Sequence, residues 1–213
     1  MPIPKAFVDL GGRTMLSWSL ATVRAVPLIG ELVLTARTEM QQSIRTEFAA
    51  AGLEIPVKIV PGGAERQDSV RNALALTSAL SEVVVVHDAA RPFATPRMFD
   101  ACISAAIRSG AAIIATPLAD TLKRADGSTI SATISRAGLW QAQTPQAFRR
   151  DLLIRAHERA LSEHIAATDD ADLVEQLGAP VEIVEGSTLN LKITTPDDLK
   201  IASAVAAHIA LQR

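Results

Sequence analysis

Short runs rich in β-branched residues alternate along this chain with longer stretches of helical period, and no other feature limits its possible folds as much. The runs are ELVLTA at 31–36, VKIV at 57–60, VVVVH at 83–87, AAIIATPL at 111–118 and VEIVEG at 181–186, flanked by Gly, Pro or charge. Between them the apolar spacing predicts helices over 14–26, 39–51, 67–80, 96–109, 149–162, 169–177 and 196–212. Strands that alternate with helices are joined by right-handed crossovers, which build a mostly parallel sheet with helices on both faces. The expected class is α/β and Rossmann-like.

One segment breaks the alternation. Within 118–148, DTLKRADGSTISATISR shows period-2 polarity around an Asp-Gly turn, the pattern of an exposed antiparallel hairpin. No internal repeat or low-complexity linker interrupts the chain. A single domain over 1–213 is therefore expected, with 118–140 as a protruding β-arm.

Composition removes several function classes. With 48% hydrophobic content over 213 residues, the chain can bury one full core. A formal net charge of -2 and 3% aromatics leave neither a basic face nor stacking platforms for nucleic acid. The single cysteine, Cys102, cannot form an internal disulfide, which fits a reducing cytoplasm. No apolar run reaches membrane-spanning length, and the opening MPIPKAFVDL lacks a basic region followed by an apolar one. A soluble, cytoplasmic protein is expected.

The stretch VVVVHDAARPF at 83–93 is the first chemical signal. Four valines predict a strand buried on both faces and hence the most central one, and ligands of open parallel sheets bind at the carboxyl ends of such strands. Asp88 there can hold a divalent cation or a ribose hydroxyl, and Arg91, stiffened by Pro92, can orient the loop or a phosphate. Asp88 can equally cap the following turn with Arg91 as its ion-pair partner. The spacing admits both readings. His87 reads as structural, because nothing at a suitable spacing forms a metal cluster or a triad with it.

Two further stretches carry chemistry. In PGGAERQDSVRNAL at 61–74, Gly62 and Gly63 permit a tight turn, and Ser69 sits near the first turn of a helix where free amides point outward. That suits a ligand pressed against main chain, and it equally suits an ordinary turn capped by Asp68 or Ser69. The ending of a P-loop is absent. In STLNLKITTPDDL at 187–199, Lys192 interrupts an apolar alternation just before a Thr195-Pro196 helix start. It is either a solvated edge residue or a phosphate ligand.

Taken together, GGAERQDSVRNAL, VHDAARPF, ATPLADTLKRAD, GLWQAQTPQAF, TDDADLVEQLG and EGSTLNLKITTPDDL occur in the order and spacing of the 2-C-methyl-D-erythritol 4-phosphate cytidylyltransferases. The chain resembles that family from Pro4 almost to its C-terminus. The resemblance implies a nucleotidyltransferase that moves CMP from CTP onto methylerythritol phosphate, releasing pyrophosphate, in the non-mevalonate route to isoprenoid precursors. It implies Mg2+ as cofactor, Asp88 as its ligand, and a homodimer in which the arm reaches across to the neighbouring subunit.

The resemblance also assigns residues. Lys5, in a PKAF segment that matches the family's PKQF, would stabilise charge on the α-phosphate, and Lys192 would position the reacting phosphate. Gly63, Ala64 and Ser69 match cytosine-recognising positions; Ala64 departs from the acidic residue often found there. Asp88, Ala89 and Arg91 match the loop facing the ribose and metal-bound phosphates. Thr121, Arg136, Thr144 and Thr168 match the methylerythritol phosphate pocket, with Thr121 and Arg136 serving the partner's site. Lys5, Lys192 and Arg136 are the cations expected to carry catalysis. The attacking phosphate oxygen is already anionic, so charge neutralisation replaces a strong base.

One departure stands out. Members of the family begin with a strand and a glycine-rich loop of the type AAGxGxRxG before the PK segment, and this chain begins at MPIPKAF. The family's strand would lie in the middle of the sheet. Two alternatives to the main reading are a cytidylyltransferase for another polyol phosphate, such as ribitol 5-phosphate, and a non-catalytic nucleotide-binding remnant.

Overall fold

The computed structural model describes residues 4–211. Several helix starts are visible in the sequence. Thr14 accepts a hydrogen bond from the Ser17 amide to cap α1 (Met15–Arg24), and Thr95 accepts one from Met98 to cap α4 (Pro96–Ser109), with Pro96 in the first turn. Asp169 caps α6 (Asp170–Gln176) by accepting from Asp172. Glu65 and Asp68 form a reciprocal capping box at α3 (Arg66–Leu74), so neither Asp68 nor Ser69 is the N-cap. The remaining helices are α2 (Gln41–Ala51), α5 (Arg150–Ser162) and α7 (Pro196–Leu211). Gln212, the last residue of the expected final helix, lies outside the described residues. Helix α3 ends well short of the expected residue 80, in a succession of turns.

Eight strands are present among the described residues: β1 (Leu32–Ala36), β2 (Val57–Pro61), β3 (Val83–Val86), β4 (Ala111–Pro117), β5 (Leu122–Asp126), β6 (Thr129–Ile134), β7 (Trp140–Arg149) and β8 (Glu182–Glu185). The main sheet has the order β3-β7-β4-β8. Strands β3, β4 and β8 share one direction and β7 runs against them, so this sheet is mixed. Strands β1 and β2 pair in parallel as a separate sheet, and β5 and β6 form the anticipated hairpin, exposed along nearly all its length, with Gly127 at φ 58° in its turn.

Alternation on β4 explains the layering. Ala112 and Ile114 pack with Cys102, Ala105 and Ala106 of α4, while Ala111, Ile113 and Ala115 pack with Leu153, Ala156 and Val174 of α5 and α6. Helices thus cover both faces of the main sheet. The Cys102 thiol is wholly buried in the first of these layers, and burial pushes its pKa up to about 12.

Two expectations need correction. The segment up to residue 148 is not all hairpin: from Trp140 to Arg149 it forms β7, a strand inside the main sheet. Its Gln143, Thr144 and Gln146 are buried, and a buried strand built on such side chains has no hydropathy signal. Nor is β3 the most central and most buried strand. It pairs only with β7 and stands at the sheet's edge, its valines half-buried. Its other side faces β1 across a cavity of about 720 Å³, lined by Leu32, Leu34, Val83 and Val85 among others.

Candidate active site

The carboxyl end of β3 gathers the charged groups. Asp88 follows His87 there, and its carboxylate accepts from Arg66 Nε at 3.1 Å and from Lys192 Nζ at 2.7 Å. Burial works against the charged carboxylate, but the hydrogen bond from Lys192 and the charges of Arg66 and Lys192 outweigh it, so the Asp88 pKa is lowered. Arg91 is not the ion-pair partner of Asp88. Its guanidinium donates instead to the backbone oxygens of Asn190 at 2.8 Å and Ala142 at 3.2 Å, tying its own loop to the Lys192 loop.

Beneath Asp88 lies a neutral scaffold. The Thr144 hydroxyl accepts from the Asp88 amide at 3.0 Å, which leaves its hydrogen for His87 Nδ1, also at 3.0 Å. Burial lowers the His87 pKa to about 4, so the ring accepts as a neutral imidazole and is structural, as its spacing implied. Thr144 is itself buried and acts from below the site.

The Lys192 loop is stitched to the main sheet. Asn190, with no exposed surface, donates to Gln143 Oε1 at 2.9 Å and to the Thr144 carbonyl at 3.0 Å. Gln143 in turn donates to the Ser187 carbonyl, and the Ile193 amide to the Ala90 carbonyl. Lys5 reaches the same loop from the 3-10 turn Lys5–Phe7, its ammonium 3.4 Å from the Thr194 carbonyl.

The Gly62-Gly63 turn is built for close approach. A Cβ on Gly63 would lie 2.1 Å from Asp68 Cβ, so no other residue fits without moving the backbone. The Gly63 amide donates to Ser69 Oγ at 2.9 Å, and that hydroxyl donates to the Glu65 carbonyl. Ala64 is exposed on this turn, and Ala89 is half-buried beside Asp88.

The other anticipated residues divide. Thr168 is exposed just ahead of α6, its amide donating to Asp172, at the end of the helix whose Asp170 binds Arg66. Thr121 and Arg136 lie instead at the base of the hairpin, where Arg136 donates to the Ala119 carbonyl. They are not joined to the Asp88 cluster. Among the described residues no cluster of three or more His, Cys, Asp or Glu side chains could hold a metal. A lone Asp88 nonetheless suits Mg2+, which takes one or two carboxylates and completes its shell with waters and substrate phosphates.

The sequence model for 2-C-methyl-D-erythritol 4-phosphate cytidylyltransferase matches residues 1–208. The enzyme of that name from Deinococcus radiodurans is 43% identical over 206 residues, covering 97% of this chain and 83% of its own. This chain belongs to the 2-C-methyl-D-erythritol 4-phosphate cytidylyltransferase family. The member from Syntrophus aciditrophicus is 44% identical, with 94% of this chain and 87% of the relative covered. The crystal structure of the 4-diphosphocytidyl-2C-methyl-D-erythritol synthase of Anaerococcus prevotii superposes with a TM-score of 0.87 at 32% identity, covering 99% of this chain and 91% of that one. The cytidylyltransferase structure from Thermus thermophilus gives 0.81 at 38% identity, over 96% and 94% of the two chains.

Sequence reasoning overlooked Arg66, the second partner of Asp88, and Asp170, which holds Arg66 from the core. A signal was present. Arg66 opens α3, where the helix dipole disfavours a cation, and such a placement calls for compensating carboxylates.

Proposed function

We propose that this chain transfers the cytidylyl group of CTP to the phosphate of 2-C-methyl-D-erythritol 4-phosphate, releasing pyrophosphate. The observation that carries this reading, beside family membership, is the meeting of Lys192 and Lys5 on one loop with Asp88 at the carboxyl end of β3. In the reaction an anionic phosphate oxygen attacks the α-phosphorus, one P–O bond forms, and the bond to the bridging oxygen breaks as pyrophosphate departs. Lys5 and Lys192 neutralise charge on the α-phosphate as it is transferred, each contact worth about 2 to 4 kcal/mol of barrier. Mg2+ would be held by Asp88 and would neutralise the triphosphate.

The Gly63 to Ser69 turn is read as the cytosine site, with Ala64 contributing backbone, and Ala89 and Arg91 as the frame of the ribose and phosphate loop. Thr168 is read as a contact for methylerythritol phosphate, and Thr144 as its support beneath Asp88. Thr121 and Arg136 belong to the same pocket of a second subunit: residues 118–140 form a dimerisation arm on a single-domain subunit. Leu122, Ile130, Leu139 and Trp140 are exposed on and beside the hairpin, and a partner subunit is their natural cover. Among the described residues no helix is long and apolar enough to cross a membrane, and we assign the protein to the cytoplasm.

The cavity between β1 and β3 bears on activity. It is flanked by two strands, each with a free edge on this side, and its apolar lining suits one further parallel strand. We assign it to the strand that precedes the glycine-rich loop in the family. The test of the function is turnover of CTP with methylerythritol phosphate and with ribitol 5-phosphate in a form carrying that strand and loop ahead of Pro4. Product from the first phosphate supports the assignment, and product from the second alone would overturn it.

A further inference from the structure

We propose that Arg66 is a positioning residue, which clamps the Asp88 carboxylate to a buried Asp170–His157 platform and leaves Lys192 as the exchangeable partner of Asp88. This inference rests on the assignment of Asp88 and Lys192 to the reacting phosphates.

The chain of contacts runs from core to site. His157 and Asp170 are 2% and 1% exposed, and His157 Nε2 donates to Asp170 Oδ1 at 3.0 Å. Arg66 Nη1 donates to the other Asp170 oxygen at 2.8 Å, and its Nε donates to Asp88 Oδ1 at 3.1 Å. One planar guanidinium therefore bridges a core carboxylate and a site carboxylate. Arginine can form that bridge because its donors diverge in a rigid fork, which a lysine ammonium lacks.

The two cations on Asp88 differ in what holds them. Lys192 ends a flexible stem whose side chain is 42% exposed, and water or a phosphate can replace its contact. Arg66 cannot leave without depriving the buried Asp170 carboxylate of its arginine and leaving it His157 alone. When an anionic substrate arrives, Lys192 can turn to the phosphate while Arg66 keeps Asp88 in place. The two carboxylates then face a single guanidinium, and the surplus negative charge at Asp88 favours a divalent cation beside the phosphates.

The test combines kinetics with a substrate-free measurement. In the strand-bearing form, Arg66→Met should lower kcat by about 10²-fold, the scale of a small misplacement, with KM for CTP within about threefold of wild type. Arg66→Lys should not restore it. Asp170→Asn should lower kcat in the same direction, and the double variant should fall no further than Arg66→Met, because both changes break one clamp. An unchanged kcat in Arg66→Met, or losses that multiply in the double variant, would overturn the proposal. In the 213-residue chain without substrate, NMR should show a slowly exchanging Arg66 Nε–H that is lost in Asp170→Asn. An Nε–H exchanging as fast as that of an exposed arginine would equally overturn it. If the wild-type enzyme made no cytidylyl product, the functional assignment would fail while the Nε–H measurement still decided the clamp.

Discussion

The Lys192 ammonium lies 2.7 Å from the Asp88 carboxylate, joining the loop before α7 to the end of β3. The pair is a partly exposed ion pair, and such pairs contribute about 0 to 1 kcal/mol to folding. In the strand-bearing form, Lys192→Ala should therefore leave the melting temperature nearly unchanged while cutting turnover by about two orders of magnitude or more. Lys5→Ala should behave alike. Wild-type turnover in the Lys192 variant would remove Lys192 from the catalytic machinery.

The hairpin should behave as an interface. An isolated two-stranded sheet is marginal in water, and Ile130 exposes 61% of its surface at the tip-ward strand β6. Light scattering at micromolar concentration should give a dimer mass, and Ile130→Asp should shift it toward the monomer. A monomeric wild type would sink the dimer assignment.

A strand and glycine-rich loop ahead of Pro4 should tighten CTP binding by several orders of magnitude. Backbone amides and an arginine around the triphosphate add charge-assisted hydrogen bonds of about 1.5 to 3 kcal/mol each. Calorimetric titration of the 213-residue chain and of the longer form reads this directly. Equally tight binding by both would show that the loop is dispensable.

Acid should weaken the fold through His87. Its folded pKa of about 4 lies below the usual 6.5, so the unfolded chain binds the extra proton between those values. Its contribution is complete above about pH 6.5 and falls as pH drops toward 4, with a slope of up to about 1.4 kcal/mol per pH unit. Denaturant unfolding at several pH values should show this slope in wild type and its loss in His87→Asn. An identical pH profile in the variant would exclude His87 as the source.

What the sequence revealed and what it hid have physical causes. Asp88 and Lys192 are legible because each breaks a regular pattern: one just past four valines and His87, the other interrupting an apolar alternation. Neither showed that they touch, since they stand 104 positions apart. Four valines also look alike at a sheet's centre and at its edge, so their run alone does not place β3 at the edge. Strand β7 escaped because Gln143 and Gln146 are buried through long-range partners, the Ser187 carbonyl and the Asp169 carboxylate. Asp170 gave no warning at all: an acidic residue in the first turn of a helix is locally ordinary, and only its 1% exposure makes it unusual.

The separation of β1 and β2 from the main sheet has a consequence for how the molecule opens. Among the described residues no strand-to-strand hydrogen bonds tie this pair to β3; it is held by side chains, with Leu16, Leu20 and Ile44 of α1 and α2 packed on Leu32, Leu34 and Ile59, and Glu31 accepting from the Ser78 amide and the Ser81 hydroxyl ahead of β3. Hydrophobic packing without a shared ladder makes a weaker mechanical joint than a continuous sheet. In the 213-residue chain the pair and its helices should thus act as a separate cooperative unit, its amides losing protection from solvent deuterium well before those of β4 and β7, and a strand seated between β1 and β3 should abolish that difference.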